Sequence, residues 1–161
     1  MSLSTDLHTR AWTIAAAVPD PELPVVTIED LGILRDVVEY DQGHVHVRIT
    51  PTYSGCPAME SIREDLVSAL TEAGFLSVHV EFVMSPAWTT EWMTSEGRAK
   101  LEAYGIAPPP VGGPVELTLS VRCPRCGSPN TREISRFGST SCKSLWSCNA
   151  CREPFDHFKA I

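Results

Sequence analysis

The sequence predicts an α+β protein in two parts, a small domain with a β-hairpin, a helix and a further strand, followed by a compact metal-held β ribbon. Three patterns support this. Polar and apolar residues alternate over 44–50, apolar residues recur at helical spacing over 57–73, and two Cys-x-x-Cys pairs lie near the C-terminus. We expect the first domain to span residues 1–107 and the ribbon 115–161, with residues 108–114 as a Pro/Gly-rich linker.

The first half of the leading domain predicts a helix and a β-hairpin. Apolar residues at helical spacing indicate a helix over 5–18 that ends before Pro19. Two prolines then keep residues 20–24 extended. A strand is predicted over 33–40, and a turn at 41–43 leads into a second strand at 44–50.

The alternation in the second strand assigns its two faces. Val45, Val47 and Ile49 are expected to face the core. His44 and His46 then point to the other side of the sheet, where exposure to solvent is the usual state of such residues.

The second half of this domain predicts a crossover. A helix opens at Pro57, since the first helical position needs no backbone N–H, and Gly74 ends it. A third strand over 75–84 completes a β-helix-β unit, and a short helix over 96–104 ends at Gly105. The apolar stripe of the first of these helices comprises Met59, Ile62, Leu66, Ala69, Leu70 and Ala73.

Composition places the chain among cytoplasmic proteins. Its 161 residues are 43% hydrophobic, and the first residues lack the basic and apolar regions of a secretory signal. No apolar run is long enough to span a membrane. Six cysteines in a chain without a signal peptide indicate a reducing compartment, where thiols bind metals instead of forming disulfides.

Charge is distributed unevenly along the chain. Residues 1–114 carry six basic and sixteen acidic side chains, a net charge of −10, whereas residues 115–161 carry a net charge of +3. A basic ribbon suggests nucleic acid, but the acidic domain attached to it would repel phosphates. The charges therefore favour an acidic protein surface as the partner of the ribbon over nucleic acid.

The four paired cysteines predict a structural zinc site. Cys123 and Cys126 form one pair, Cys148 and Cys151 the other, and 21 residues separate the two pairs. Four thiolates complete a tetrahedral zinc site with no open position, so this zinc is expected to hold the fold and not to catalyse. A redox pair would need one such motif within a βαβ pattern. His157 could compete as a ligand, but four cysteines already fill the site.

Two cysteines lie outside these pairs. Cys56 comes just before the helix at Pro57, where the helix dipole favours thiolate, so it could hold a soft metal ion or an iron–sulfur cluster transiently. A buried, inert cysteine is the alternative. Cys142 could replace a zinc ligand or offer an exposed sulfur beside Lys143, and simple packing is equally compatible with its position.

Three acidic residues fall in loops beside the predicted sheet. Asp20, Glu22 and Asp30 could supply oxygen ligands to a hard metal ion, but their spacing matches no calcium loop. Carboxylates in loops more often cap turns or helices. No phosphate-binding glycine loop or Ser-His-Asp arrangement is visible, so the sequence does not predict an enzyme.

Four motifs of the first domain, at residues 20–24, 30–32, 50–57 and 85–88, resemble those of the iron–sulfur assembly factors that include the SufT-type proteins. The resemblance implies a SufT-like assembly fold in which Cys56 is the reactive cysteine and Asp30 the matching acidic position. It therefore favours a functional over a packing role for Cys56, with Asp30 and Cys142 as further candidates for iron or cluster transfer.

The C-terminal part of the chain makes the family resemblance more specific. The segments at 137–143 and 148–156 are similar to those of the PaaD-type proteins of bacterial phenylacetate degradation. This implies an accessory or maturation factor for the multicomponent phenylacetyl-CoA 1,2-epoxidase, which helps to assemble its iron or iron–sulfur centre. The implied partners are the di-iron oxygenase and the iron–sulfur flavin reductase of that enzyme.

The main alternative is a stoichiometric structural subunit of the epoxidase with no role in metal transfer. Three points stay open at this stage: which metal centre of the epoxidase is assembled, whether iron alone or a cluster is carried, and whether the protein forms a homodimer.

Overall fold

The computed structural model describes residues 3–53, 55–111 and 120–160. It divides into two compact units, residues 1–88 and residues 89–161. No helix within the described ranges has the length and apolar character needed to cross a membrane.

The first unit contains two helices and one three-stranded sheet. The sheet has the order β1-β2-β3, with β1 and β2 antiparallel and β2 and β3 parallel. The parallel pair needs a crossover, which the second helix provides. The predicted hairpin and β-helix-β unit are both confirmed. The elements are α1 (Leu3–Ala16), β1 (Leu34–Tyr40), β2 (His44–Ile49), α2 (Ala58–Glu72) and β3 (Ser77–Phe82).

The sheet buries one face against the helices. Val45, Val47 and Ile49 of β2 are at most 2% exposed, whereas His44 is exposed and His46 is half-buried, as the alternation predicts. The apolar stripe of α2 also lies in the core, with Ile62, Leu66 and Leu70 fully buried. Each such aliphatic side chain contributes about 1.5–3 kcal/mol of burial free energy.

Helix α2 begins at Ala58, one residue after the predicted start at Pro57, and ends at Glu72, before the predicted Gly74. Pro57 occupies the N-cap position, and the Met59 N–H donates to the carbonyl of Cys56 at 3.3 Å. At the other end Gly74 adopts a left-handed φ of 98°, which glycine tolerates without strain. Cys56 is therefore fixed in the loop that enters the first turn of α2.

The second unit is a four-stranded sheet preceded by one helix. The strand order is β4-β7-β6-β5, with β5, β6 and β7 forming an antiparallel meander. Thr94 caps the helix, because its Oγ1 accepts a hydrogen bond from the Gly97 N–H at 3.0 Å. The elements are α3 (Ser95–Tyr104), β4 (Ile106–Ala107), β5 (Thr131–Ser135), β6 (Lys143–Cys148) and β7 (Pro154–Phe158).

The structure groups α3 and β4 with the ribbon, whereas the sequence analysis places them in the first domain. The reason is a short parallel pairing in which Ile106 lies opposite Asp156 and Ala107 opposite His157. A two-residue strand has too little periodicity to be recognised in a sequence. Part of the predicted linker, residues 112–114, lies outside the described residues.

Candidate metal centre and thiol site

The four paired cysteines converge on one point of the second unit. Their sulfur atoms all lie within 4.8 Å of one another, with Cys123 and Cys151 3.8 Å apart and Cys126 and Cys148 3.6 Å apart. Tetrahedral zinc with Zn–S bonds of about 2.3 Å requires sulfurs separated by about 3.8 Å. The four thiols therefore fit one zinc ion, and Cys123, Cys126, Cys148 and Cys151 would hold it.

Two tight turns present these sulfurs. In the first, the Gly127 N–H donates to the carbonyl of Cys123 at 2.9 Å, and Gly127 takes a left-handed φ of 73°. In the second, the Cys151 N–H donates to Sγ of Cys148 at 3.5 Å. The pKa of Cys148 is lowered to about 7, mainly because of this hydrogen bond. In the same turn the neighbouring cysteine side chains raise the pKa of Cys151, so the turn favours the thiolate form at Cys148 only.

The zinc site rests on a small apolar core. Ala107, Val121, Trp146 and Phe155 are buried together with the inner cysteines Cys123 and Cys148. Since this core is small for a free-standing unit, metal binding is expected to supply much of the folding free energy here. A closed four-sulfur site has no position for substrate, which is typical of structural zinc.

Cys142 lies outside the four-thiol cluster. It is 5% exposed, and its Sγ lies 2.9 Å from Oγ1 of Thr140. The predicted alternatives of a substitute zinc ligand and an exposed sulfur are wrong, because the side chain is buried and the four-thiol cluster does not include it. The neighbouring Lys143 is also buried and pairs with Asp156 of β7.

His157 is a buried histidine of the ribbon and not part of the thiol cluster. It is 5% exposed, its Nδ1 lies 3.5 Å from Oγ of Ser144, and its ring packs edge-on against Trp146. Burial lowers its pKa to about 4, so the imidazole is neutral at physiological pH. It contributes packing and a polar contact to the ribbon.

In the first unit, Cys56 is half-buried at the entrance to α2. The prediction of a readily ionised thiolate is wrong, because burial raises the pKa of this thiol. The backbone N–H of Ala58 and the side chain of Tyr53 hydrogen-bond the sulfur and act in the opposite direction, but burial outweighs them. The N-terminus of α2 supplies the expected N–H donor, from Ala58. However, the burial of Cys56 reduces the solvent exposure that a reactive thiolate needs.

Two carboxylates act on the Cys56 thiol. The charges of Glu22 and Asp20 both raise its pKa, so the extended segment at 20–24 lies close enough to Cys56 to influence its ionisation. Asp20 is buried, and its Oδ1 accepts the N–H groups of Glu22 and Leu23, both at 2.8 Å. Asp20 thus has the turn-capping role that loop carboxylates usually take.

Asp30 also caps a turn. Its Oδ2 accepts the Thr27 N–H at 3.0 Å, while the Asp30 N–H donates to Oγ1 of Thr27 at 3.1 Å. Asp30 is not among the groups that shift the pKa of Cys56. The next residue, Leu31, accepts a hydrogen bond from Nε1 of the buried Trp88 at 2.8 Å. This tryptophan therefore fixes the 30–32 segment and belongs to the core.

Sequence reasoning missed Tyr53 as a member of the Cys56 site. Tyr53 hydrogen-bonds the Cys56 sulfur through its side chain, and its carbonyl accepts the Cys56 N–H at 3.4 Å. A tyrosine three residues before a cysteine in a loop has the spacing of a turn, and that spacing is the signal that could have found it.

Comparison with known proteins matches both units to families. Residues 13–82 match the iron–sulfur cluster assembly protein family, and residues 107–159 match the PaaD zinc beta ribbon domain. A crystal structure of a domain of unknown function from Bacillus anthracis has a TM-score of 0.57 at 27% identity, covering 61% of this chain and 93% of that one.

Two curated relatives extend these matches. A protein of Escherichia coli (strain K12), provisionally named as one of the subunits of the 1,2-phenylacetyl-CoA epoxidase, is 50% identical over 93% of this chain and 91% of its own. An Fe-S protein maturation auxiliary factor of Porphyromonas gingivalis (strain ATCC BAA-308 / W83) is 33% identical over 52% of this chain and 80% of its own. With both domains present in this order and half of its residues shared with the E. coli protein, the chain belongs to the PaaD family.

Proposed function

We propose that this protein is an accessory factor of the 1,2-phenylacetyl-CoA epoxidase that helps to assemble or insert an iron or iron–sulfur centre of that enzyme. The name of the E. coli relative supports the connection with the epoxidase, and the assembly-protein family of the first unit supports the connection with metal centres. In this proposal the chain works in the cytoplasm and has no catalytic step of its own.

The observation that carries the proposal is the environment of Cys56. Its sulfur is half-buried, receives hydrogen bonds from Ala58 and Tyr53, and lies within reach of the charges of Glu22 and Asp20. An incoming ferrous ion or cluster is the substrate here. When its iron binds sulfur, an S–Fe bond forms, the S–H bond breaks and the proton passes to water.

The raised pKa of Cys56 suits a transient carrier. A thiol that ionises reluctantly gives a strongly basic thiolate, which is a good donor once iron has displaced the proton. The same basicity makes the return of a proton favourable when a client site competes for the metal. Binding is therefore reversible, in contrast to the closed site of the four ribbon cysteines.

The partners in this proposal are the di-iron oxygenase and the iron–sulfur flavin reductase of the epoxidase. The experiment is to isolate both components from cells that express Cys56→Ser and to measure their iron and acid-labile sulfide. Cys142→Ser is the matched control, because Cys142 is also outside the zinc cluster but is buried in the ribbon.

We expect Cys56→Ser cells to make soluble protein but to contain an iron-poor epoxidase component and to grow slowly on phenylacetate. Normal iron content and normal growth with Cys56→Ser would contradict the proposal. If the variant and the wild type also co-purified with the active enzyme in a fixed ratio, a structural subunit would be the better description.

A further inference from the structure

Two histidines and one carboxylate lie close together on the open face of the first sheet. We propose that His46, His79 and Glu81 form a binding site for a divalent first-row transition metal ion. None of these residues belongs to the zinc cluster or to the Cys56 site, and two imidazoles with one carboxylate are the donor set typical of non-haem Fe²⁺.

The parallel register of β2 and β3 brings the three residues together. His46 lies opposite His79, and Arg48 lies opposite Glu81, so Glu81 is diagonal to His46 on the same face. Nε2 of His46 is 3.0 Å from Oε2 of Glu81. Two donor atoms that share one metal ion at about 2.1 Å lie about 3.0–3.4 Å apart, so this spacing fits a common ion.

The two histidine rings also have a suitable separation. The centroids of His46 and His79 are 5.0 Å apart, with their planes inclined at 52°. Two imidazoles bound to one ion at about 2.1 Å through ring nitrogens have centroids about 5 Å apart. His79 is exposed, so its ring can turn to direct a nitrogen at the ion without disturbing the core.

His46 has a nitrogen that hydrogen bonding leaves unsatisfied. Its Nε2 is buried and makes no hydrogen bond among the described residues, although it lies at the ion-pair distance of 3.0 Å from Oε2 of Glu81. A buried polar atom without a hydrogen bond is destabilising, and a metal ion between His46 and Glu81 would supply the missing interaction.

Arg48 is the polar neighbour of the site. Its Nε donates to Oε2 of Glu81 at 3.2 Å, and its Nη1 lies 3.9 Å from Oδ2 of Asp36. The first contact orients the Glu81 carboxylate towards His46, which is the usual role of a residue that hydrogen-bonds a metal ligand. The proposal of a metal site rests on this geometry alone, whereas Fe²⁺ as the natural occupant also rests on the proposed function.

The test uses the purified full-length protein with its ribbon saturated with zinc, and Co²⁺ as a spectroscopic probe. We expect saturable visible absorption bands at one equivalent of Co²⁺, without the near-ultraviolet sulfur charge-transfer band of a thiolate complex. His46→Ala and His79→Ala should each weaken binding by more than about tenfold, since even outer-shell changes cost 10–100-fold. Anaerobic Fe²⁺ should compete with Co²⁺ for the same site.

His44→Ala is the matched control, because His44 lies on the same face of β2 but opposite Ser77. This variant should bind Co²⁺ as the wild type does. A sulfur charge-transfer band, no saturable binding, or equal affinities for His79→Ala and His44→Ala would overturn the proposal. Because no epoxidase is present, a failed proposed function would leave these results unchanged.

Discussion

Lys143 and Asp156 form an ion pair within the ribbon sheet, with Nζ of Lys143 3.8 Å from Oδ2 of Asp156. The lysine side chain is only 6% exposed, whereas that of the aspartate is 27% exposed. Gly138 closes over the pair, since a Cβ at this position would lie 2.9 Å from Oδ1 of Asp156. The two partners therefore differ in how much water each could regain if the other were removed.

Removing the aspartate should destabilise the ribbon more than removing the lysine. Asp156→Asn leaves a buried ammonium without its counter-charge and should lower the free energy of unfolding by about 3 kcal/mol. Lys143→Met leaves a carboxylate that is partly hydrated and should cost about 1 kcal/mol, the upper value for a pair in contact with solvent. Denaturant unfolding of zinc-saturated protein measures both values. An Asp156→Asn variant as stable as Lys143→Met would contradict this reading of the pair.

Removing zinc should unfold the second unit selectively. Cys148→Ser deletes a buried ligand, and the expected loss is a large part of the roughly 10–16 kcal/mol with which such sites bind zinc. We expect zinc content to fall from one equivalent and the NMR signals of β5 to β7 to collapse, with those of β1 to β3 preserved. Cys142→Ser, which changes a buried cysteine outside the cluster, should retain zinc. Equal zinc loss in both variants would show that the cluster is not the site.

The reactivity of Cys56 should respond in opposite directions to its two neighbours. Tyr53→Phe removes a hydrogen bond that stabilises the thiolate and should slow alkylation at a given pH. Glu22→Gln removes a charge that raises the pKa of Cys56 and should accelerate alkylation. The pH dependence of iodoacetamide labelling, followed by mass spectrometry of zinc-loaded protein, gives both shifts. Shifts of the same sign would exclude this electrostatic description.

Lowering the pH should reduce the free energy of unfolding of the ribbon, because His157 is buried in its neutral form. Burial lowers the pKa of His157 to about 4 from an ordinary value of 6.5, so between these values the unfolded chain binds a proton that the folded chain does not. Stability is therefore complete above pH 6.5 and falls as the pH decreases towards 4, by about 2–3 kcal/mol.

His157→Gln should show a smaller loss of stability over this pH range than the wild type, and exposed His44→Gln should behave as the wild type. NMR titration of the imidazole measures the pKa of His157 directly. An unshifted value near 6.5 would refute the prediction.

Local patterns in the sequence predicted most of the fold. The alternation in β2, the apolar stripe of α2 and the turn glycines each have a local physical cause, and the structure confirms all three. The convergence of Cys123, Cys126, Cys148 and Cys151 was predictable for the same reason, because the Cys-x-x-Cys turn carries its own geometry.

Features that depend on contacts between distant residues were not predictable. The pKa of Cys56 depends on burial and on carboxylates more than thirty residues away in the chain, so the local helix N-terminus gave the wrong direction. The buried position of Lys143 depends on its pairing with Phe158 across β6 and β7, and the Cys142 carbonyl accepts the Lys159 N–H just beyond that pairing. The pairing of His46 with His79 required the register of two strands joined by a helix.

The parallel pairing of β4 with β7 determines where the chain can be cut if the ribbon is to be produced as a separate fragment. A fragment cut at residue 115 would lack Ile106 and Ala107, and would leave the backbone of β7 around Asp156 as an open edge. Open edges invite pairing between molecules, so such an excised ribbon should self-associate even when fully loaded with zinc. A ribbon fragment that is meant to stay monomeric therefore has to begin upstream of Ile106.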